Sequence, residues 1–154
     1  TGSRSSVTNP RAVTSLFRST DVPTIANDSD AQFVSLGVRF TASKDGKIVG
    51  MKYYKGLGDG GAHVGSLWSS TGTLLASATF QQETATGWQT VTFATPVSIT
   101  AGTTYVASYN SQGHYADSEG YFTTAHINGP LTATTGLGKD GTGSARPTTT
   151  TKVN

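Results

Sequence analysis

Apolar and polar residues alternate along most of this chain. Val34, Leu36, Val38 and Phe40 alternate with Ser35, Gly37, Arg39 and Thr41, the period-2 pattern of a strand with one buried face. Ser43-Lys44-Asp45-Gly46 follows as a turn whose Asp-Gly pair suits a tight hairpin. Residues 47–55 then read as the next strand, with Val49, Met51, Tyr53 and Lys55 on one face. Residues 56–62 hold four Gly and one Asp and read as a loop. Further strands are expected at 63–69, 73–80, 88–93, 97–99, 103–109 and, more briefly, 121–124. Ser70-Thr71-Gly72 and Ala101-Gly102 supply turns between them. No stretch has the 3.6-residue period of an amphipathic helix. The expectation is an all-β domain, an antiparallel β-sandwich of jelly-roll type with seven to nine short strands.

Residues 1–13 read as a linker, 14–135 as the sandwich, and 136–154 as a Gly/Thr-rich C-terminal segment. A chain of 154 residues suffices for one domain with its own core. Charged residues make up only 13%, and Ser and Thr together exceed a quarter, a balance that favours pleated surfaces and turns. With no cysteine in the chain, a disulfide framework, a thiolate zinc site and a Cys nucleophile are excluded. No apolar run approaches the roughly 18 residues of a membrane span, so membrane insertion is not expected. The net charge of +2 is spread thinly, without the Lys/Arg cluster that nucleic acid demands.

A set of residues in the middle of the chain is distinctive. It comprises Tyr54-Lys55-Gly56, Gly61-Ala62-His63-Val64-Gly65-Ser66-Leu67-Trp68-Ser69, Gly72-Thr73-Leu74-Leu75-Ala76, Gly87-Trp88-Gln89, Ala101-Gly102-Thr103-Thr104-Tyr105 and Gly113-His114-Tyr115. Together these resemble a bacterial extracellular β-sandwich domain family of unassigned function. That family occurs in large secreted proteins beside immunoglobulin-like repeats and carbohydrate-active modules. The resemblance implies a secreted or cell-surface location and a role like that of a carbohydrate-binding module, and it carries no catalytic residues with it. Two departures stand out: Ser35 occupies a position that is usually acidic in the family, and the family's final aromatic strand has no counterpart before Asn154. An under-covered sheet edge near the C-terminus follows as an expectation, open to a complementing strand or a neighbouring domain.

Sugars combine hydroxyl edges with weakly apolar faces, so a sugar site needs aromatic platforms beside charged or amide groups. Lys55, His63, Trp68, Tyr109, His114 and Tyr115 offer that chemistry, and their segments are expected to converge at one end of the sandwich, where loops carry function. Alternation sets Trp68 on the face opposite His63, while Trp88, Phe93 and Tyr105 read as core. Asp21, Asn27, Asp28 and Asp30 form a candidate structural Ca2+ site, since calcium takes six to eight oxygens from such loops; solvated Asx turns are the competing reading. Asp117 and Glu119 make a weaker acidic pair.

Catalysis has less support. A glycosidase needs two carboxylates at a set separation, and Glu83 is the only acidic residue at a strand end among aromatics. His63 and His114 with Asp59 lack any metal-binding spacing, and no nucleophile elbow occurs. The sequence therefore points to a non-enzymatic polysaccharide-binding module, with an anionic polymer favoured by the basic balance. The alternative is a structural or adhesion spacer, strand-accepting or calcium-stabilised.

Overall fold

A computed structural model describes residues 14–25, 27–116, 126–140, 146, 147 and 149–151. The expected linker at 1–13, the strand at 121–124 and the pair Asp117 and Glu119 lie outside these residues. Among the described residues nine strands follow in order: β1 (Val34–Ala42), β2 (Gly46–Lys55), β3 (Val64–Ser69), β4 (Leu74–Thr79), β5 (Gly87–Ile99), β6 (Tyr105–Ser111), β7 (His126–Asn128), β8 (Leu131–Asp140) and β9 (Thr149–Thr151). The described residues contain no helix, and the chain folds as the antiparallel β-sandwich the alternation predicts.

The two sheets are unequal. Among the described residues seven strands form one sheet, with β4-β3-β6-β1-β8-β7 in order and β9 also pairing β8, and β2 pairs β5 in the other. Between them lies a core of Val38, Phe40, Ala42, Leu67, Phe93, Ile99, Tyr105 and Ala133. β1, β3, β5, β6 and β8 contribute apolar residues of their alternation to that interior, and Ile48 and Met51 of β2 and Ala76 and Ala78 of β4 pack against it. Phe40 and Tyr105, paired across β1 and β6, bring their rings to 5.9 Å.

Three expectations are corrected. First, Ser43-Lys44-Asp45-Gly46 does not close a hairpin, because β1 pairs β6 and β8 while β2 pairs β5. The segment crosses from one sheet to the other. Ser43 N donates to Pro130 O at 2.8 Å, and Asp45 Oδ1 accepts from Ala101 N at 2.8 Å. Gly46 also lacks the positive φ that a tight Asp-Gly turn requires. By contrast Gly72, at φ 96°, does close the expected β3–β4 hairpin.

Second, β1 is buried on both faces. Ser35 is only 2% exposed, and the side of Gly37 is closed by Pro147, whose ring would lie 3.1 Å from a Cβ placed there. Val106 and Ser108 of β6 and Ser66 of β3 are buried around them, so this central part of the large sheet has a second packed face. Third, the boundary expected at 135/136 falls inside β8, which pairs β1 from Leu131 to Asp140, and β9 extends the sheet at Gly136–Gly138. Gly-rich composition suggested a loose tail; pairing with the central strand overrides that weak local preference.

The packing on Gly37 yields a paired test. A Cβ at Gly37 would stand 2.4 Å from Ala107 O, whereas at Gly46 it would meet nothing within 4 Å. Gly37→Ala is expected to lower unfolding free energy by about 2 kcal/mol, and Gly46→Ala to stay within about 0.5 kcal/mol of the parent, both read from urea unfolding.

Candidate functional site

Lys55, Asp59, His63 and Glu83, with Tyr53 and Ser111, gather at one end of the sandwich. Lys55 and Tyr53 arrive on the last residues of β2, and residues 56–62 loop over to His63 at the entry to β3. Glu83 follows β4, and Ser111 ends β6. The glycines let the loop fold back on itself: Asp59 N donates to Gly56 O at 3.1 Å, and Gly61 adopts φ 81°. That fold turns Asp59 inward, and both Asp59 and His63 are completely buried.

His63 lies between two carboxylates. Its Nε2 is 2.9 Å from Asp59 Oδ1, and its Nδ1 is 3.1 Å from Glu83 Oε2 and 3.0 Å from Oε1. A neutral imidazole has one N–H and would turn a bare lone pair toward one of these acids; the imidazolium satisfies both. Burial works against the charged ring, but the hydrogen bonds to Asp59 and Glu83 outweigh it and hold the His63 pKa above its ordinary value. Glu83 moves the other way. Burial opposes its charge, yet hydrogen bonds from Tyr53 and His63, with their charge partners His63 and Lys55, hold its carboxyl below the usual range.

The remaining members complete the charge balance. Tyr53 donates its hydroxyl to Glu83 Oε1, and burial followed by that bond pushes the phenol pKa far up. Lys55 Nζ stands 3.5 Å from the same oxygen. Ser111 Oγ donates to Asp59 Oδ1 at 2.7 Å, while Asp59 Oδ2 has no partner among the described residues. Two carboxylates thus face an imidazolium and an ammonium. Tyr53 stacks on Tyr109 at 4.4 Å and lies 4.9 Å from the His63 ring, with Phe80 edge-on at 4.8 Å. Asp59 and His63 are sealed from solvent, while Lys55 and Glu83 remain slightly exposed, and the low local dielectric strengthens the buried pair's attraction.

Of the residues expected to bind sugar, Lys55, His63 and Tyr109 do converge, but as members of this enclosed network. Trp68 stands across the sheet, where its Nε1 donates to Ser108 Oγ at 2.9 Å. His114 and Tyr115 form a separate clasp with the 27–30 loop. His114 N donates to Asp30 O at 2.6 Å, its Nδ1 lies 2.9 Å from Asp28 O, and Tyr115 Oη donates to Asp30 Oδ2 at 3.1 Å. Gly58 N donates to Asn27 Oδ1 at 2.6 Å and joins this clasp to the 56–62 loop.

The acidic residues expected at a calcium site are engaged in such turns. Asp28 Oδ1 accepts from Asp30 N at 2.6 Å, and Asp30 Oδ1 from Gln32 N at 2.9 Å. Asp21 belongs to another turn, its Oδ2 accepting from Arg18 N at 2.7 Å. Among the described residues no three His, Asp or Glu side chains are gathered as metal ligands.

Sequence reasoning places Glu83 beside aromatics, groups Asp59 with His63 only as a metal set that the spacing does not support, puts Tyr53 on the face of Lys55 without a polar role, and passes over Ser111. The available signal was Asp59 and His63 four residues apart in a Gly-rich loop, with few other charges in the chain to partner them.

Residues 20–154 match the family described as Domain of unknown function (DUF4082). No curated protein matches the chain.

The network sets a pH profile. The raised His63 pKa contributes stability that is full below 6.5 and is lost as pH rises through the higher folded value. The lowered Glu83 pKa contributes stability that is full above 4.5 and is lost as pH falls through the lower folded value. The His63–Glu83 contribution should therefore be greatest between pH 4.5 and 6.5. Thermal unfolding across pH should show the alkaline decline, and His63→Gln should remove it. Asp59→Ala, which leaves a buried imidazolium with one partner fewer, is expected to destabilise by about 3 kcal/mol in urea unfolding.

Proposed function

Since the chain belongs to the DUF4082 family of domains of unknown function, a membership that assigns no activity, we propose from its geometry that it is a non-catalytic structural module of a secreted, multidomain bacterial protein. The observation that carries this reading is the complete burial of His63 between Asp59 and Glu83. Side chains that would recognise or transform a ligand instead hold the two sheets together. His114 and Tyr115 likewise bind the 27–30 loop rather than an open groove. The resemblance to extracellular sandwich domains supports the secreted setting.

A second reading, polysaccharide binding, draws support from a different place. On the short sheet Trp88 and Tyr54 pair across β5 and β2 with rings 5.4 Å apart, and Phe17 stacks on Trp88 at 6.0 Å. Lys52 Nζ lies 4.7 Å over the Trp88 ring. Both aromatic residues of the pair are partly exposed, and an aromatic face beside an ammonium suits a sugar ring with an acidic substituent.

Affinity electrophoresis through neutral and anionic polysaccharides separates the readings. The structural module is expected to migrate unretarded, with Lys55→Ala lowering its thermal stability and leaving its mobility in the polymer unchanged. Retardation abolished by Trp88→Ala, in a variant that stays folded, would establish the polysaccharide reading instead.

A further inference from the structure

Within the ion group at the end of the sandwich, one contact sets an amine against a carboxyl group. Lys55 Nζ lies 3.5 Å from Glu83 Oε1, and the two side chains are only 13% and 12% exposed. Lys55 ends β2 of the short sheet, and Glu83 follows β4 of the large one. Two donors hold the carboxyl from its other sides: the Tyr53 hydroxyl on Oε1, and His63 Nδ1 at 3.1 Å from Oε2. Asp59 holds the other ring nitrogen at 2.9 Å, so the imidazolium presents one N–H to each acid. A primary amine thus faces a carboxyl group whose oxygens are polarised by fixed donors, the arrangement that acyl transfer requires.

We propose that Lys55 and Glu83 condense to an isopeptide bond, formed by the chain itself, which ties the short sheet to the crossover after β4. The step balances within the pair. One ammonium proton passes from Nζ to Oε1 across their contact. The freed lone pair attacks Cδ, and the charge that develops on Oε2 is met by the His63 N–H. A second proton passes from Nζ to Oε1, the C–Oε1 bond breaks and water leaves, and the carbonyl re-forms at Oε2. Tyr53, donating to Oε1, assists that departure. Of the three ammonium hydrogens, two leave in the water and one stays on the amide. Nothing is oxidised or reduced, and no proton is drawn from solvent. In water the condensation is unfavourable; here the product replaces two mostly buried charges with one neutral amide and removes their desolvation penalty. The low exposure also limits the water that would reverse it. With no cysteine in the chain, a side-chain amide supplies the covalent closure that a disulfide gives other small domains. The acid limb of the pH profile belongs to the unlinked chain and disappears once Glu83 is an amide. The proposal rests on the structural reading and deepens it, yet the two fail separately. Sugar retardation overturns the structural module and leaves the bond intact, whereas a chain of full mass overturns the bond and leaves the module.

The test is the intact mass of the full purified chain, measured after unfolding, together with a tryptic peptide map. The chain is expected to weigh one water less than its sequence, with the deficit in a branched peptide that joins Lys55 to Glu83 and is uncut after Lys55. Lys55→Arg, whose guanidinium keeps the ion pair and does not condense, is expected to show the full mass. During cell-free synthesis the deficit is expected to appear about 100-fold more slowly in Tyr53→Phe, and equal rates would overturn the part given to Tyr53. An Asp-Gly step also loses water when it cyclises to an imide, and Asp45-Gly46 and Asp59-Gly60 are such steps. A deficit mapped to one of them, or retained in Lys55→Arg, overturns the proposal. So does a folded parent that keeps its full mass after prolonged incubation.

Discussion

An imidazole offers two N–H groups only when charged, and His63 is placed where both are required. The ring nitrogens reach carboxylates carried by different parts of the chain, Asp59 from the loop after β2 and Glu83 from the crossover after β4. Tyr53 and Lys55 close on Glu83 from the short sheet, while Ser111 closes on Asp59 from the large one. The group is therefore a staple between sheets, set at the end of the sandwich where the apolar core gives out. A buried ion group adds little net stability relative to a well-packed apolar cluster, but losing one partner is expensive. Its contribution is to fix which loop meets which strand.

The unequal sheets follow from the same economy of charge and apolar surface. Among the described residues β2 and β5 face a sheet of seven strands, and the large sheet is also packed on its far side. There Pro147 seats against Gly37, and Arg146 Nη2 donates to Ser70 O at 2.9 Å. Residues that composition marks as a loose tail thus close the second face of β1. Trp68, with its indole N–H on Ser108, belongs to that face.

Local pattern made β1, β2, β3, β4 and β6 legible, and Gly72 marked its hairpin correctly. Alternation also placed Trp68 opposite His63. The partners of β1 were not legible, since the turn chemistry of Asp45-Gly46 favours the nearest strand, whereas a strand enclosed on both faces belongs at the centre of a sheet. β8 was obscured by Gly136 and Gly138, which weaken strand preference yet pair there with Val38 and Leu36. Of the ion group, the sequence disclosed the residue types and not the meeting: Asp59 and Glu83 stand on opposite sides of His63 in the chain, and only the folding of the Gly-rich loop brings the three into line.

The central position of β1 has a consequence for how the protein reaches its fold. Its neighbour in sequence, β2, goes to the other sheet, and the register sets Phe40 opposite Tyr105 and Ala133. During synthesis, Val34–Ala42 must wait for much of the domain to emerge before either edge is paired. A strand of that apolar character, pairing at long range, makes for slow assembly and invites aggregation meanwhile. Arg39 inside it and Lys44 just after it are the gatekeeping charges that keep such a segment soluble while it waits.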